Sequence, residues 1–92
     1  MEVAEADIER CVGILRSHGA KRIIVFGSAL EPGSDVEDID LAVEGIEPGR
    51  YLAALGDLLD QLPLLVDLVD LSDDTPFTRY VRRKGRVIYE RR

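Results

Sequence analysis

With one cysteine, Cys11, the chain cannot close an internal disulfide or build a multi-thiolate zinc site by itself. Long apolar runs are also missing: no segment approaches the roughly 18 uninterrupted apolar residues of a membrane span, so no membrane partner is expected. The opening Met1-Glu2-Val3-Ala4-Glu5 is acidic and lacks the basic and apolar blocks of a signal peptide, which makes a cytoplasmic location the expectation. Internal repeats, low-complexity stretches and any linker long enough to separate a pair of domains are all lacking, so residues 1–92 read as one domain. A core of this size is modest, and a homodimer would help to bury more of it.

Basic residues are scarce where acidic ones abound. Residues 1–74 carry five basic and seventeen acidic side chains, whereas residues 75–92 carry seven basic and one acidic. An acidic body with a basic tail repels nucleic acid in general, so duplex binding is disfavoured. An anionic small substrate held through a divalent metal stays compatible, because the metal reverses the local sign.

The residues present alternate between helical and strand periodicity. From about Ala4 to His18, apolar groups recur at Ile8, Cys11, Val12 and Leu15 and stop at Gly19, the pattern of an amphipathic helix with a glycine cap. Cys11 lies on that apolar stripe and reads as buried; His18, in the last turn, reads as a surface or capping residue. Ile23–Phe26 is a short apolar strand of the kind covered on both faces, and residues 29–37, with Pro32, Gly33 and Ser34, form a loop. Residues 38–43 alternate acidic or small with apolar residues, a strand with one face on the core. Leu52, Leu55, Leu58, Leu59 and Leu62 mark a second helix closed by Pro63, and residues 64–71 a third strand. Thr75-Pro76 is an N-cap followed by a favoured N1 proline, opening a short helix with Phe77 and Tyr80 at core spacing. Residues 86–89 read as a final strand. Together these predict an α/β (α+β) fold, a small mixed sheet of about four strands with helices packed on it.

Asp38 and Asp40 are the most informative pair. Two apart in a strand, they project to one side with Cα atoms about 7 Å apart. Acidic triplets are common in so acidic a chain, as Asp7-Ile8-Glu9 and Asp35-Val36-Glu37 show. What distinguishes this one is its setting, after an apolar strand that ends in Gly27-Ser28. Glycine lets the backbone approach a phosphate and serine adds a hydroxyl donor. Paired carboxylates can hold two magnesium ions about 4 Å apart, which clamp a triphosphate and activate a hydroxyl. Asp67 and Asp70 are the candidates for a third carboxylate; three apart in one strand, they face opposite sides. Asp67, set among Leu64, Leu65, Val66, Leu68 and Val69, is preferred as third ligand or general base, because an unpartnered charge there would be costly. Asp70, beside the polar turn Ser72-Asp73-Asp74, has a cheap solvated role.

Phe26-Gly27-Ser28, nine intervening residues, Asp38-Ile39-Asp40-Leu41-Ala42-Val43 and the later Val66-Asp67-Leu68-Val69-Asp70-Leu71 resemble the minimal nucleotidyltransferases of the DNA polymerase β-like superfamily. The order of elements and the closing Arg83-Lys84-Gly85-Arg86-Val87-Ile88-Tyr89-Glu90 extend the resemblance over nearly the whole chain. It implies transfer of a nucleoside monophosphate, commonly AMP from ATP, onto a hydroxyl with release of pyrophosphate. Gly27 and Ser28 would then hold the triphosphate, Asp38 and Asp40 would ligate both Mg2+ ions, and Asp67 would complete the metal site and help deprotonate the acceptor. Stand-alone members of this size are often antitoxins paired with an all-helical HEPN-type toxin, neutralised by complex formation, by adenylylation of a tyrosine, or by both. Ala29 and Leu30 stand where the family often has a basic residue, and Glu37 where it often has serine. With no lysine or arginine between Arg22 and Arg50, the triphosphate charge must be met by the metals, Arg50, the basic tail or another chain. A binding module with an idle pocket, acting by occlusion, is the alternative.

Overall fold

The computed structural model describes residues 5–27, 38–62 and 65–91, apart from the side chains of Glu5 and Asp38. Ser28, the loop that follows it and Pro63 lie outside the described residues. Helix α1 (Glu5–Ser17) leads into β1 (Arg22–Phe26), followed by β2 (Asp38–Glu44), α2 (Pro48–Gln61), β3 (Leu65–Asp70), α3 (Pro76–Lys84) and β4 (Arg86–Glu90). Gly19, at φ 100°, lets the chain reverse after α1, with its N–H donating to Arg16 O and that of Ala20 to Leu15 O.

The sheet runs β3-β2-β1-β4. Strand β1 is antiparallel to β2 and β4, and β2 is parallel to β3, so the sheet is mixed as expected. Its two faces carry unequal cores. The larger joins Cys11, Ile14 and Leu15 of α1 and Ala54 and Leu58 of α2 to Ile23, Val25, Ile39, Leu41, Val43 and Val66. The smaller joins Val81 of α3 to Ile24, Phe26, Ala42 and Leu71, with Val69 against it. Burial on both faces explains why β1 is continuously apolar. Small residues let α3 come close. Ala42 is fully buried, and a β-carbon on Gly85 would collide with Ile24 Cγ2 and approach Val25 O to 3.1 Å.

Helix α3 starts as its sequence indicates. Thr75 Oγ1 accepts from the Thr78 N–H (3.1 Å) and Thr78 Oγ1 accepts from the Thr75 N–H (2.9 Å), a reciprocal capping box. The Thr78 hydroxyl also donates to Asp73 O at 2.7 Å.

Two expectations are corrected here, for His18 and for Phe77 with Tyr80. His18 is not on the surface: its side chain is 10% exposed and its Nε2 meets Asp57 Oδ2 at 2.6 Å, tying the end of α1 to α2. On α2, Leu58 and Leu62 are buried but Leu52 is 77% exposed and Leu59 also faces out, because only one side of the helix meets the sheet. Phe77 and Tyr80 are not core; each is 49% exposed, since Thr78 and Val81 take the face of α3 that meets the sheet.

Candidate nucleotide and metal site

Strand pairing brings the candidate acids to one end of the sheet. Asp40 lies opposite Phe26 of β1 on one side and opposite Asp67 of β3 on the other. Register partners in a parallel pair share a face and lie about 4.8 Å apart, so Asp40 and Asp67 are neighbours. Their face is the α3 face. Asp40 has the parity of Ala42, and Asp67 that of Val69 and Leu71, all members of the smaller core. Asp38 occupies the same strand two residues earlier, opposite Leu65.

Gly27 follows Phe26 with φ +77°, a conformation that L side chains rarely adopt. It is also pressed against Asp40. A β-carbon at position 27 would overlap Asp40 Oδ2 and come within 3.3 Å of its Cγ. Backbone geometry and the position of a carboxylate both require glycine here.

Asp70 faces away, as strand parity predicts. Its Oδ1 accepts from the Ser72 N–H at 2.9 Å, a local turn at the end of the strand. On that side Tyr51 of α2 donates to Leu68 O, and burial, then the charge of Asp70, raises the pKa of the phenol.

Asp67 departs from its expected burial: it is exposed. Strand β3 is an edge strand, and α3 covers it further along, at Val69 and Leu71. The cost of burying a charge therefore gives no reason to single out Asp67. Its register with Asp40 does.

Adjacent carboxylate oxygens beside a glycine cradle are the donor chemistry of a hard divalent cation. Among the described residues no three His, Cys, Asp or Glu side chains gather into a metal cage; Asp40 and Asp67 form the described pair. Arg50 lies in the first turn of α2, which begins beyond Glu44, the end of β2 remote from Asp38 and Asp40. Of the expected sources of positive charge, Arg50 is therefore on the wrong side of the molecule. Sequence reasoning also missed that Phe77 reaches Phe26, edge to face, with ring centroids 5.9 Å apart. The helical spacing of Phe77 and Tyr80 was visible, but not which flank of the helix they occupy.

A mixed sheet that sets acidic residues beside a glycine turn defines a nucleotidyltransferase-like protein. The family described as Polymerase beta, Nucleotidyltransferase matches residues 9–92, and the chain belongs to that family. A comparison with curated proteins finds no match. Among solved structures, the chain is similar to one in the crystal structure of the toxin–antitoxin MntA-HepT. The TM-score is 0.73 and the identity 24%, over 95% of this chain and 73% of that one. It is also similar to one in a mutant form of that toxin–antitoxin structure, with a TM-score of 0.72 and 25% identity, over 89% of this chain and 71% of that one. Among the described residues no helix is long and apolar enough to cross a membrane.

Proposed function

We propose that this chain transfers a nucleoside monophosphate, in the sharpest form AMP from ATP, to a hydroxyl on a partner protein, and acts as the antitoxin of a pair with a HEPN-type toxin. One observation carries the chemistry: Asp40 and Asp67 stand in register on one face, with Asp40 seated against Gly27. In the reaction the acceptor oxygen bonds to the α-phosphorus, the bond from that phosphorus to the bridging oxygen breaks, and pyrophosphate leaves. Magnesium held by Asp38, Asp40 and Asp67 would supply charge neutralisation for the triphosphate and acidify the acceptor hydroxyl. Asp67, on the open edge, would take the acceptor's proton. Gly27 would let its backbone N–H come close to the phosphates, and Ser28 follows it in sequence as a donor. The toxin–antitoxin context of the similar structures supports the choice of partner. A second copy of the chain is a further expected partner.

The test incubates the purified protein with magnesium, ATP and the product of the adjacent reading frame, and then weighs both chains intact. An AMP added to the partner by wild type, and lost in Asp38→Asn and Asp40→Asn, is the expected result. The lack of any lysine or arginine between Arg22 and Arg50 favours a second reading, neutralisation by occlusion alone. A stable complex with no added mass, and protection from the toxin that survives both substitutions, would establish that reading instead.

A further inference from the structure

Helix α3 has two flanks on either side of its buried face, Thr78 and Val81. On one, Arg82 donates to Glu44 Oε2 at 3.1 Å and to Leu71 O at 2.9 Å, at the end of β2 remote from Asp38 and Asp40. The other flank carries Phe77, Tyr80 and Lys84, spaced by three and four residues and so in one stripe. Phe77 fixes where that stripe lies. Its ring meets Phe26, the register partner of Asp40 and the residue before Gly27. Gly85, next to Lys84, packs against Val25 O of the same strand. The stripe therefore borders the carboxylate end of the sheet.

Among the described residues, Phe26 packs on this stripe, but no side-chain hydrogen bond or ion pair engages it. Phe77 and Tyr80 are half exposed, and the side chains of Tyr80, Arg83 and Lys84 make no hydrogen bond or ion pair with any described residue. Some of the other basic groups are engaged: Arg22 pairs with Glu90 and Glu44, and Arg79 with Asp74. A cavity of about 310 Å³ lined by Arg16, Tyr89 and Arg91 opens at the other end of the sheet, where Arg16 already stacks on Tyr89.

We propose that this flank of α3 is the nucleotide platform, with the base stacked on Phe77 and Tyr80 and the phosphates drawn toward Lys84. The inference rests on the nucleotidyltransferase reading and adds to it which residues hold the nucleotide. An exposed aromatic pair with an unpaired cation at its edge matches a nucleotide's flat base and anionic chain. Phe77 is one strand spacing and one ring contact from Asp40, within the reach of a nucleoside from base to α-phosphate. Lys84 supplies the positive charge that the segment between Arg22 and Arg50 lacks.

The test compares magnesium-dependent binding of ATP and of inorganic tripolyphosphate by calorimetry. Wild type binds ATP more tightly than tripolyphosphate. Tyr80→Leu and Phe77→Leu weaken ATP about tenfold each and leave tripolyphosphate unchanged, while Lys84→Gln weakens both several-fold. The side chains of Tyr80 and Lys84 make no hydrogen bond or ion pair with a described residue, so their variants are expected to fold normally, which circular dichroism checks. Wild-type ATP affinity in Tyr80→Leu and Lys84→Gln overturns the platform and leaves the aspartate site standing. Retained ATP affinity with loss of the partner complex also overturns it and makes the flank a protein-docking surface. If wild type binds neither probe, the nucleotidyltransferase reading fails together with the platform.

Discussion

Gly27 is where conformation, packing and chemistry meet in one residue. Gly27→Ala adds about 1–2 kcal/mol of left-handed backbone strain and drives a methyl group into the Asp40 carboxylate. The variant is expected to melt at lower temperature and to lose magnesium-dependent ATP binding. Gly56→Ala is the matched control: in the middle of α2, with nothing within 4 Å of an added β-carbon, it should raise stability by about 0.5–1 kcal/mol. Cys11 yields a pH prediction. Burial, then the charge of Asp7, pushes its thiol from 9.0 up to about 11, against a smaller opposing backbone hydrogen bond. The unfolded thiol ionises first, so this contribution to stability is intact below about pH 9 and is lost as pH rises toward 11. Denaturant titrations should show that decline in wild type and a flatter one in Cys11→Ala. The opposite facing of Asp67 and Asp70 was legible from strand parity alone. The exposure of Asp67 was not, because a run of apolar neighbours looks the same in a central strand and at an edge.

Elements were legible where their chemistry is local. Thr75-Pro76 marks the start of α3, and the reciprocal Thr75–Thr78 bonds make that start stable. Thr75→Ala should cost about 1 kcal/mol, and Thr75→Ser should restore most of it, read as shifts in melting temperature. The faces of the helices were less legible. Periodicity identifies an apolar stripe but not how much of it a neighbour covers, and so Phe77 and Tyr80 read as core and stand exposed, as do Leu52 and Leu59 of the α2 stripe. His18 erred in the other direction, since its partner Asp57 is 39 residues away in sequence.

At the scale of the whole molecule, alternating helices and strands sufficed to expect a small mixed sheet with helices on it. Strand order was beyond reach, and strand order assembles the candidate site: placing β2 between β1 and β3 puts Asp40 beside both Gly27 and Asp67. The charge asymmetry of the chain gains a spatial meaning as well. Arg82 and Arg79 of the basic tail balance Glu44 and Asp74, while Arg83 and Lys84 pair with no acid among the described residues. The proposed assignment of Asp38, Asp40 and Asp67 to one metal site is tested by measuring transfer of labelled AMP to the partner by four single variants. Asp38→Asn, Asp40→Asn and Asp67→Asn should each lower the rate by about a hundredfold or more, the scale of removing one charge-stabilising group, with Asp70→Asn close to wild type. Undiminished transfer in the first three, or a loss confined to Asp70→Asn, would rule that metal site out.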